Sequence, residues 1–146
     1  MGFPGEGCLL LRVTVHIDGG SRGNPGPAAA GVVITAGGKV IHQAGIFLGN
    51  ATNNIAEYSG LVAGLKAAGR LGATEVEVVS DSELLVRQMN GEYRVRNEGI
   101  KPLYEQASHL ASGLVRCDFR HVPREKNVQA DKLVNKALDL QHDVSR

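Results

Sequence analysis

Cysteine is scarce: Cys8 and Cys117 are the only two, far apart and outside any CxxC spacing. That argues against a zinc site and gives no reason to expect a disulfide scaffold, so a reducing, cytoplasmic setting is expected. No apolar run approaches the roughly 20 residues that cross a bilayer, so no membrane partner is expected. The opening MGFPGEGCLL has neither a basic n-region nor a full apolar h-region, so it predicts no signal peptide but a short disordered lead-in over residues 1–9. An excess of one charge is missing too. The net charge is +1, weak for a nucleic-acid binder, because phosphate binding rests on clustered Lys and Arg. The average hides a local bias, with Arg87, Arg94, Arg96 and Lys101 in one stretch and Arg116, Arg120, Arg124, Lys126, Lys132 and Lys136 in another. Ordinary solvated charge is the plain reading of both stretches.

What remains is a chain of 146 residues, 42% hydrophobic and 21% charged, which fits one soluble domain with its own core. No linker, repeat or low-complexity block divides it, so a single domain is expected over 10–141 with a short tail at 142–146. Leu11, Val13, Val15 and Ile17 alternate with Arg12, Thr14, His16 and Asp18, the pattern of a half-buried strand. AGVVITAGGKVIHQAGIFLG reads as two further strands joined by a tight turn at AGGK. The period then changes: Ile55, Tyr58, Leu61, Val62, Leu65 and Ala68 fall at helical spacing, with Gly72 as the stop. TEVEVVSD predicts a fourth strand, ELLVRQMN a short helix, residues 99–114 another helix, and VRCDFRHV a fifth strand. Asn127 is expected to cap a last helix that carries Leu133, Val134, Ala137 and Leu138. The fold class expected is α/β: a five-stranded mixed sheet, an antiparallel three-strand meander plus two further strands, flanked by helices.

One stretch resists a plain structural reading. HIDGGSRGNPGPAAAG puts Asp18 at the end of an apolar strand and then confines the next ten residues with glycine and proline. Asp81 likewise follows the fourth strand, Glu57 lies in the first turn of the first long helix and Asp131 in the first turn of the last. If the first and fourth strands are neighbours, Asp18 and Asp81 stand side by side, and like charges that close repel unless a cation lies between them. Hard divalent cations take oxygen ligands, and four converging carboxylates suit a two-metal centre for phosphodiester hydrolysis. Each residue also has a structural reading. Asp18 fits a turn acid that bonds its own loop backbone, Asn54 and Glu57 form a capping-box spacing, Asp81 fits an N-cap, and Asp131 favours the positive end of its helix. A phosphate-cradling role for the Gly-rich loop is weak, since neither GK[ST] nor GxGxxG is present.

DGGSRGNPGP, TNNIAEY, VVSDSELLVRQMNG and HVPREKNVQADKLVNKAL, in this order and at these separations, resemble type 1 ribonuclease H from about Val13 to Leu138. Members of that family cut the RNA strand of RNA/DNA hybrids. The resemblance implies a ribonuclease H-like fold and two Mg²⁺ ions, with Mn²⁺ as a possible substitute, held by Asp18, Glu57, Asp81 and Asp131. It implies that Gly19 and Gly20 let the backbone approach the hybrid's minor groove, and that Asn24 reaches the nucleic acid. It implies that Thr52 faces a DNA phosphate, that Asn53 and Asn54 face base or sugar edges, and that Glu83, Tyr93 and Arg94 also contact substrate. Neutral hydrogen-bonding groups suit a reader of 2′-hydroxyls, which fits the low net charge.

Two departures from the family pattern stand out. The basic, Trp-bearing protrusion of some members is missing: GEYRVRNEGIKPLYEQ runs directly between two helices and the chain has no Trp. Hybrid grip is then left to Tyr93, Arg94, Arg96 and Lys101. The family often carries a mobile His before its last Asp, and His121 stands at a suitable distance. Its parity, however, matches Val115, Cys117 and Phe119, which predicts a packed strand-end residue as readily as an auxiliary one. Arg124 is the better-placed auxiliary, as a charged clamp on the leaving phosphate. The expected partner is therefore an RNA/DNA hybrid bound by a monomer, with no protein partner evident. The alternatives are a catalytically silent hybrid- or RNA-binding module of the same fold, and a related nuclease of the same superfold with another substrate.

Overall fold

A computed structural model describes residues 10–145; the expected lead-in over 1–9 lies outside the described residues. The strands are β1 (Arg12–Ser21), β2 (Gly26–Ala36), β3 (Lys39–Ala51), β4 (Glu75–Ser80), β5 (Arg116–His121) and β6 (Val144–Ser145). The helices are α1 (Asn53–Arg70), α2 (Glu83–Met89), α3 (Lys101–Ser112) and α4 (Val128–Leu140), with one 3₁₀ turn at Arg124–Lys126. The strands form one mixed sheet in the order β5-β4-β1-β2-β3-β6. The meander β1–β2–β3 is antiparallel as expected, and β4 and β5 add to β1 in parallel. The hairpin turn is two residues, Gly37 and Gly38, both at positive φ, which matches the twist of the strands it joins.

The alternation of β1 decides the layers. Val13, Val15 and Ile17 face a main core with Val32, Ile34, Val76 and Val78, roofed by Tyr58, Leu61, Leu65 and Ala68 of α1 and by residues of α2 and α3. The opposite face of β2 offers Ala29 and Val33, which Ala130, Leu133, Val134, Ala137 and Leu138 of α4 cover. Gly31 and Gly45 let α4 lie close: a Cβ at either would fall within 2.6 Å of the carbonyl oxygen of Ala130 or Leu133.

Among the described residues the sheet has six strands, not five. The expected tail instead pairs: Val144 and Ser145 lie antiparallel to Gly45 and Ala44, and the Phe47 N–H donates to Asp143 Oδ1 at 2.8 Å. Val144 also packs on the small cluster under α4. Val115, expected to face inward, is 72% exposed because it precedes β5 and bonds only its backbone to Thr74. Residues 90–100 lead straight from α2 to α3, so no extra helix occupies the place of a protrusion. None of the described helices is long and apolar enough to cross a membrane.

Candidate active site

The parallel register of β1 and β4 ends at Ile17 opposite Ser80, so Asp18 and Asp81 are the next residue on each chain segment. Asp18 is not at the end of its strand as expected, because β1 stays paired with β2 as far as Ser21, whereas Asp81 follows the last residue of β4. The carboxyl end of parallel strands is where α/β sheets place ligands, because the chain diverges there into separate loops. From one face, the first turns of α1 bring Glu57. From the other, the first turn of α4 brings Asp131. All four carboxylates line one open groove of about 630 Å³, together with the Gly-rich loop, Asn53, Asn54, Ser82, Glu83, Arg22 and Arg124. A second hollow of about 230 Å³ lies among Arg12, Glu75, Glu77, Arg116 and Asp118. Charges there are matched pairwise, Arg12 with Glu75 across β1 and β4 at 2.7 Å and Arg116 with Asp118 along β5 at 2.7 Å. The carboxylates of the groove are set against one another instead.

The electrostatic consequence is visible in each carboxyl. Asp18, only 8% exposed, is pushed up to about 8 by burial, then by the charge of Asp81 and by the charge and shared hydrogen bond of Asp131. The Gly19 N–H donating to Asp18 Oδ1 at 2.9 Å opposes this shift without overcoming it. Glu57 is pushed up to about 7 by burial and by Asp81, against the Ser82 hydroxyl that bonds its carboxylate. Asp81 is raised by burial and by Asp131, while the positive charges of Arg124 and His121 pull it down. Among the described residues no three such side chains are already drawn into a cage around one point. An all-oxygen donor set held against its own repulsion fits a hard divalent cation, which would keep water and take only a few carboxylates.

Several expected roles change once neighbours are visible. The N-cap of α1 is Thr52, whose Oγ1 accepts the Ile55 N–H at 3.2 Å. The Asn54–Glu57 capping box is therefore not formed, and Glu57 is left to point into the groove. Asp81 is not a cap either; Ser82 caps α2 through the Leu85 N–H. Asn24 and Asn53, expected to reach nucleic acid, tie the loop to α1: Asn24 Oδ1 accepts the Asn53 N–H at 3.0 Å, and Asn53 Oδ1 accepts the Ser21 N–H at 2.8 Å. Both residues remain exposed, and Asn53 lines the groove. Gly19 is needed by α1 itself, since a Cβ there would lie 2.3 Å from the Ala56 and Glu57 backbone.

Asn127 begins α4 without a side-chain cap bond. Its Nδ2 donates instead to the Ile17 carbonyl at 2.7 Å, fastening the start of the helix that carries Asp131 to the residue before Asp18. His121 is exposed, not packed: β5 pairs it with Ser80, which puts its charge beside Asp81 at the open end of the sheet. Glu83 lines the groove and is ion-paired with Arg87 at 2.8 Å. Tyr93 and Arg94 line a separate hollow of about 500 Å³ with Lys101 and Tyr104, and the Arg87 guanidinium lies over the Tyr93 ring at 5.4 Å. Sequence reasoning missed Arg22 and Ser82, and gave Asn127 only as a helix cap. Ser82 left a local signal, as a cap-type residue directly after a candidate ligand; Arg22 left none.

Comparison with known proteins places this geometry. A family described as reverse transcriptase-like matches residues 16–137. The bifunctional protein Rv2228c of Mycobacterium tuberculosis is 47% identical over 131 residues, covering 88% of this chain and 36% of that protein. The chain thus spans about a third of the length of that curated relative. The solved N-terminal RNase H domain of the same protein superposes with a TM-score of 0.87 at 46% identity, covering 89% of this chain and 95% of that one. RNase H1 from the halophilic archaeon Halobacterium salinarum gives 0.85 at 40% identity, over 88% of this chain and 98% of that one. LC11-RNase H1, solved in complex with an RNA/DNA hybrid, gives 0.84 at 43% identity over 88% and 98%. With the family match spanning β1 to α4 and RNase H structures superposing over nearly all of the described chain, this chain belongs to the type 1 ribonuclease H family.

Proposed function

We propose that the chain is an endonuclease that hydrolyses the RNA strand of RNA/DNA hybrids, using two Mg²⁺ ions and leaving 5′-phosphate and 3′-hydroxyl ends. The observation that carries this reading is the convergence of Asp18, Glu57, Asp81 and Asp131, from two strands and both helical layers, on one open groove. The hybrid bound by LC11-RNase H1 supports the substrate class. Asp18 and Asp81 would hold both ions, with Glu57 completing one site and Asp131 the other. When bound, the ions supply a nucleophilic water at neutral pH and a counter-charge at the leaving 3′-oxygen. Ser82 orients the Glu57 carboxylate, and Asn127 fixes the approach of Asp131 to Asp18. A mere binding module gains nothing from four carboxylates turned toward phosphate, because each of them repels the ligand.

The test is a cleavage assay on a labelled RNA/DNA hybrid with Mg²⁺, Mn²⁺ or EDTA, beside single-stranded RNA, double-stranded RNA and double-stranded DNA. The expected result is cutting of the hybrid's RNA with either metal and none in EDTA. Folded protein that binds hybrid and cuts nothing with any metal would overturn the hydrolase reading in favour of a binder.

Arg124, exposed at the groove beside Asp81, is assigned to the scissile phosphate. Arg124→Ala should lower kcat on the order of 10- to 100-fold, less than the loss of a buried donor, with KM little altered. Steady-state rates decide it: an unchanged kcat removes Arg124 from the reaction and leaves His121 as the remaining basic side chain beside Asp81.

A further inference from the structure

Of the residues lining the groove, two are cations, Arg22 and Arg124. Arg124 faces Asp81. Arg22 stands on the far side, in the Gly/Pro loop, where its Nη2 donates to Asp139 Oδ1 at 2.6 Å. The pair joins two segments 117 residues apart, the loop after β1 and the last turn of α4. Three features make this contact look exchangeable. Both side chains are about half exposed or more, at 49% and 64%, and ion pairs this wet are weak. Asp139 sits at the carboxyl end of α4, where a negative charge opposes the helix dipole and has little intrinsic reason to be. And the fork of a guanidinium fits a phosphate as well as it fits a carboxylate.

We propose that Arg22 is a substrate-binding residue that grips a backbone phosphate of the strand lying across the four carboxylates, and that Asp139 holds it until that phosphate arrives. The proposal rests on the hydrolase reading above. Asp139 is eight residues along α4 from Asp131, about 12 Å at helical rise, so the phosphate Arg22 takes lies a few nucleotides from the scissile one. With Arg124 on the Asp81 side, the two arginines bracket the reaction centre, and the exchange at Arg22 swaps one anion for another and leaves Asp139 to water, which already reaches it. Because Arg22 does not reach the reacting atoms, its contribution is to binding and appears in KM.

Steady-state cleavage of a labelled RNA/DNA hybrid in Mg²⁺, repeated over a range of salt, tests this. Arg22→Ala should raise KM about five- to twentyfold with little change in kcat, and flatten the dependence of log KM on log salt by about one unit. Arg22→Lys should recover part of the loss, as a point charge without the fork. Asp139→Asn should lower KM about two- to fivefold by freeing Arg22, and should do nothing further when added to Arg22→Ala. An Arg22→Ala protein with wild-type KM and salt slope overturns the proposal while leaving the hydrolase reading intact. Asp139→Asn lowering KM equally in both backgrounds also overturns it, because Asp139 is then only a general repulsive charge. Wild-type protein that leaves the hybrid uncut removes the hydrolase reading and this proposal with it. Both residues are surface-exposed, so circular dichroism should show all variants folded.

Discussion

Asp18→Asn should abolish cleavage and, in the absence of metal, make the protein harder to unfold at pH 8. The two effects have one cause. Asp18 is nearly buried, faces Asp81 and Asp131, and is pushed up to about 8, whereas an unfolded aspartate titrates near 3.9. Between roughly pH 4 and pH 8 the folded chain therefore holds a proton that the unfolded chain releases, and stability falls as pH rises through that window. Glu57, pushed up to about 7, adds to the same slope. Asparagine keeps the oxygen that accepts the Gly19 N–H and carries no charge to repel its neighbours. Metal-free wild type should thus melt several degrees lower at pH 8 than at pH 5, with a flatter profile for the variant. Mg²⁺ should raise the wild-type midpoint at pH 8 and leave that of the variant almost unmoved. Losing a ligand forfeits several kcal/mol of transition-state stabilisation, so turnover should drop on the order of 10³-fold or more. Wild-type turnover in the variant removes Asp18 from the site. A variant less stable than wild type at pH 8 in EDTA would mean that repulsion at the groove is not what strains this edge of the sheet.

What could be read from the chain beforehand follows from how local each signal is. The alternation of β1, the helical spacing from Ile55 to Ala68 and the apolar face of α4 are patterns of burial, and the structure buries those residues. Asp81 directly after β4 and Asp131 in the first turn of α4 stand where they were expected. But β1 runs on past Asp18 to Ser21 and Glu57 falls in the second turn of α1, because the meander pairing and the Thr52 cap set those boundaries. The convergence of the four carboxylates could not be read from spacing, since it depends on β4 pairing with β1 across the meander rather than with any sequence neighbour; it entered only through the resemblance. The sixth strand rests on two residues, with Val144 alone giving an apolar signal. His121 continues the inward parity of Cys117 and Phe119, but at the open end of the sheet the packed layer gives out and the side chain meets solvent. Thr52 and Asn54 are both cap-type residues two positions apart, so the choice between them fell to tertiary contacts. Arg22 and Asp139 offer no local trace of one another at all, because only the fold brings them within 2.6 Å.

Gly19→Ala should cost several kcal/mol of stability and uncouple Glu57 from Asp18, whereas Gly20→Ala, one residue on, should change stability by less than about 1 kcal/mol. Neither glycine adopts the left-handed conformation that alanine avoids, so the contrast is one of space alone. A Cβ on Gly19 would stand 2.3 Å from the Ala56 carbonyl carbon and the Glu57 nitrogen, and 2.6 Å from the Ala56 oxygen. All three are backbone atoms and cannot rotate aside. Nor can α1 easily retreat, because Tyr58, Leu61 and Leu65 anchor it in the main core. The cost of forcing such an overlap into a packed interior is typically 1–3 kcal/mol and more when backbone must move. Gly20 looks the other way, toward Val134 Cγ1 at 3.6 Å, an ordinary contact. Urea unfolding of both variants, paired with cleavage rates on the folded fraction, separates the two consequences. The Gly19→Ala protein should unfold at markedly lower urea, and where still folded should cut slowly, since the displaced turn carries Glu57. Equal midpoints for the two variants would mean that α1 has room to withdraw from β1. In that case the glycine after Asp18 would be needed for what approaches the loop from outside, not for the helix that presses on it from within.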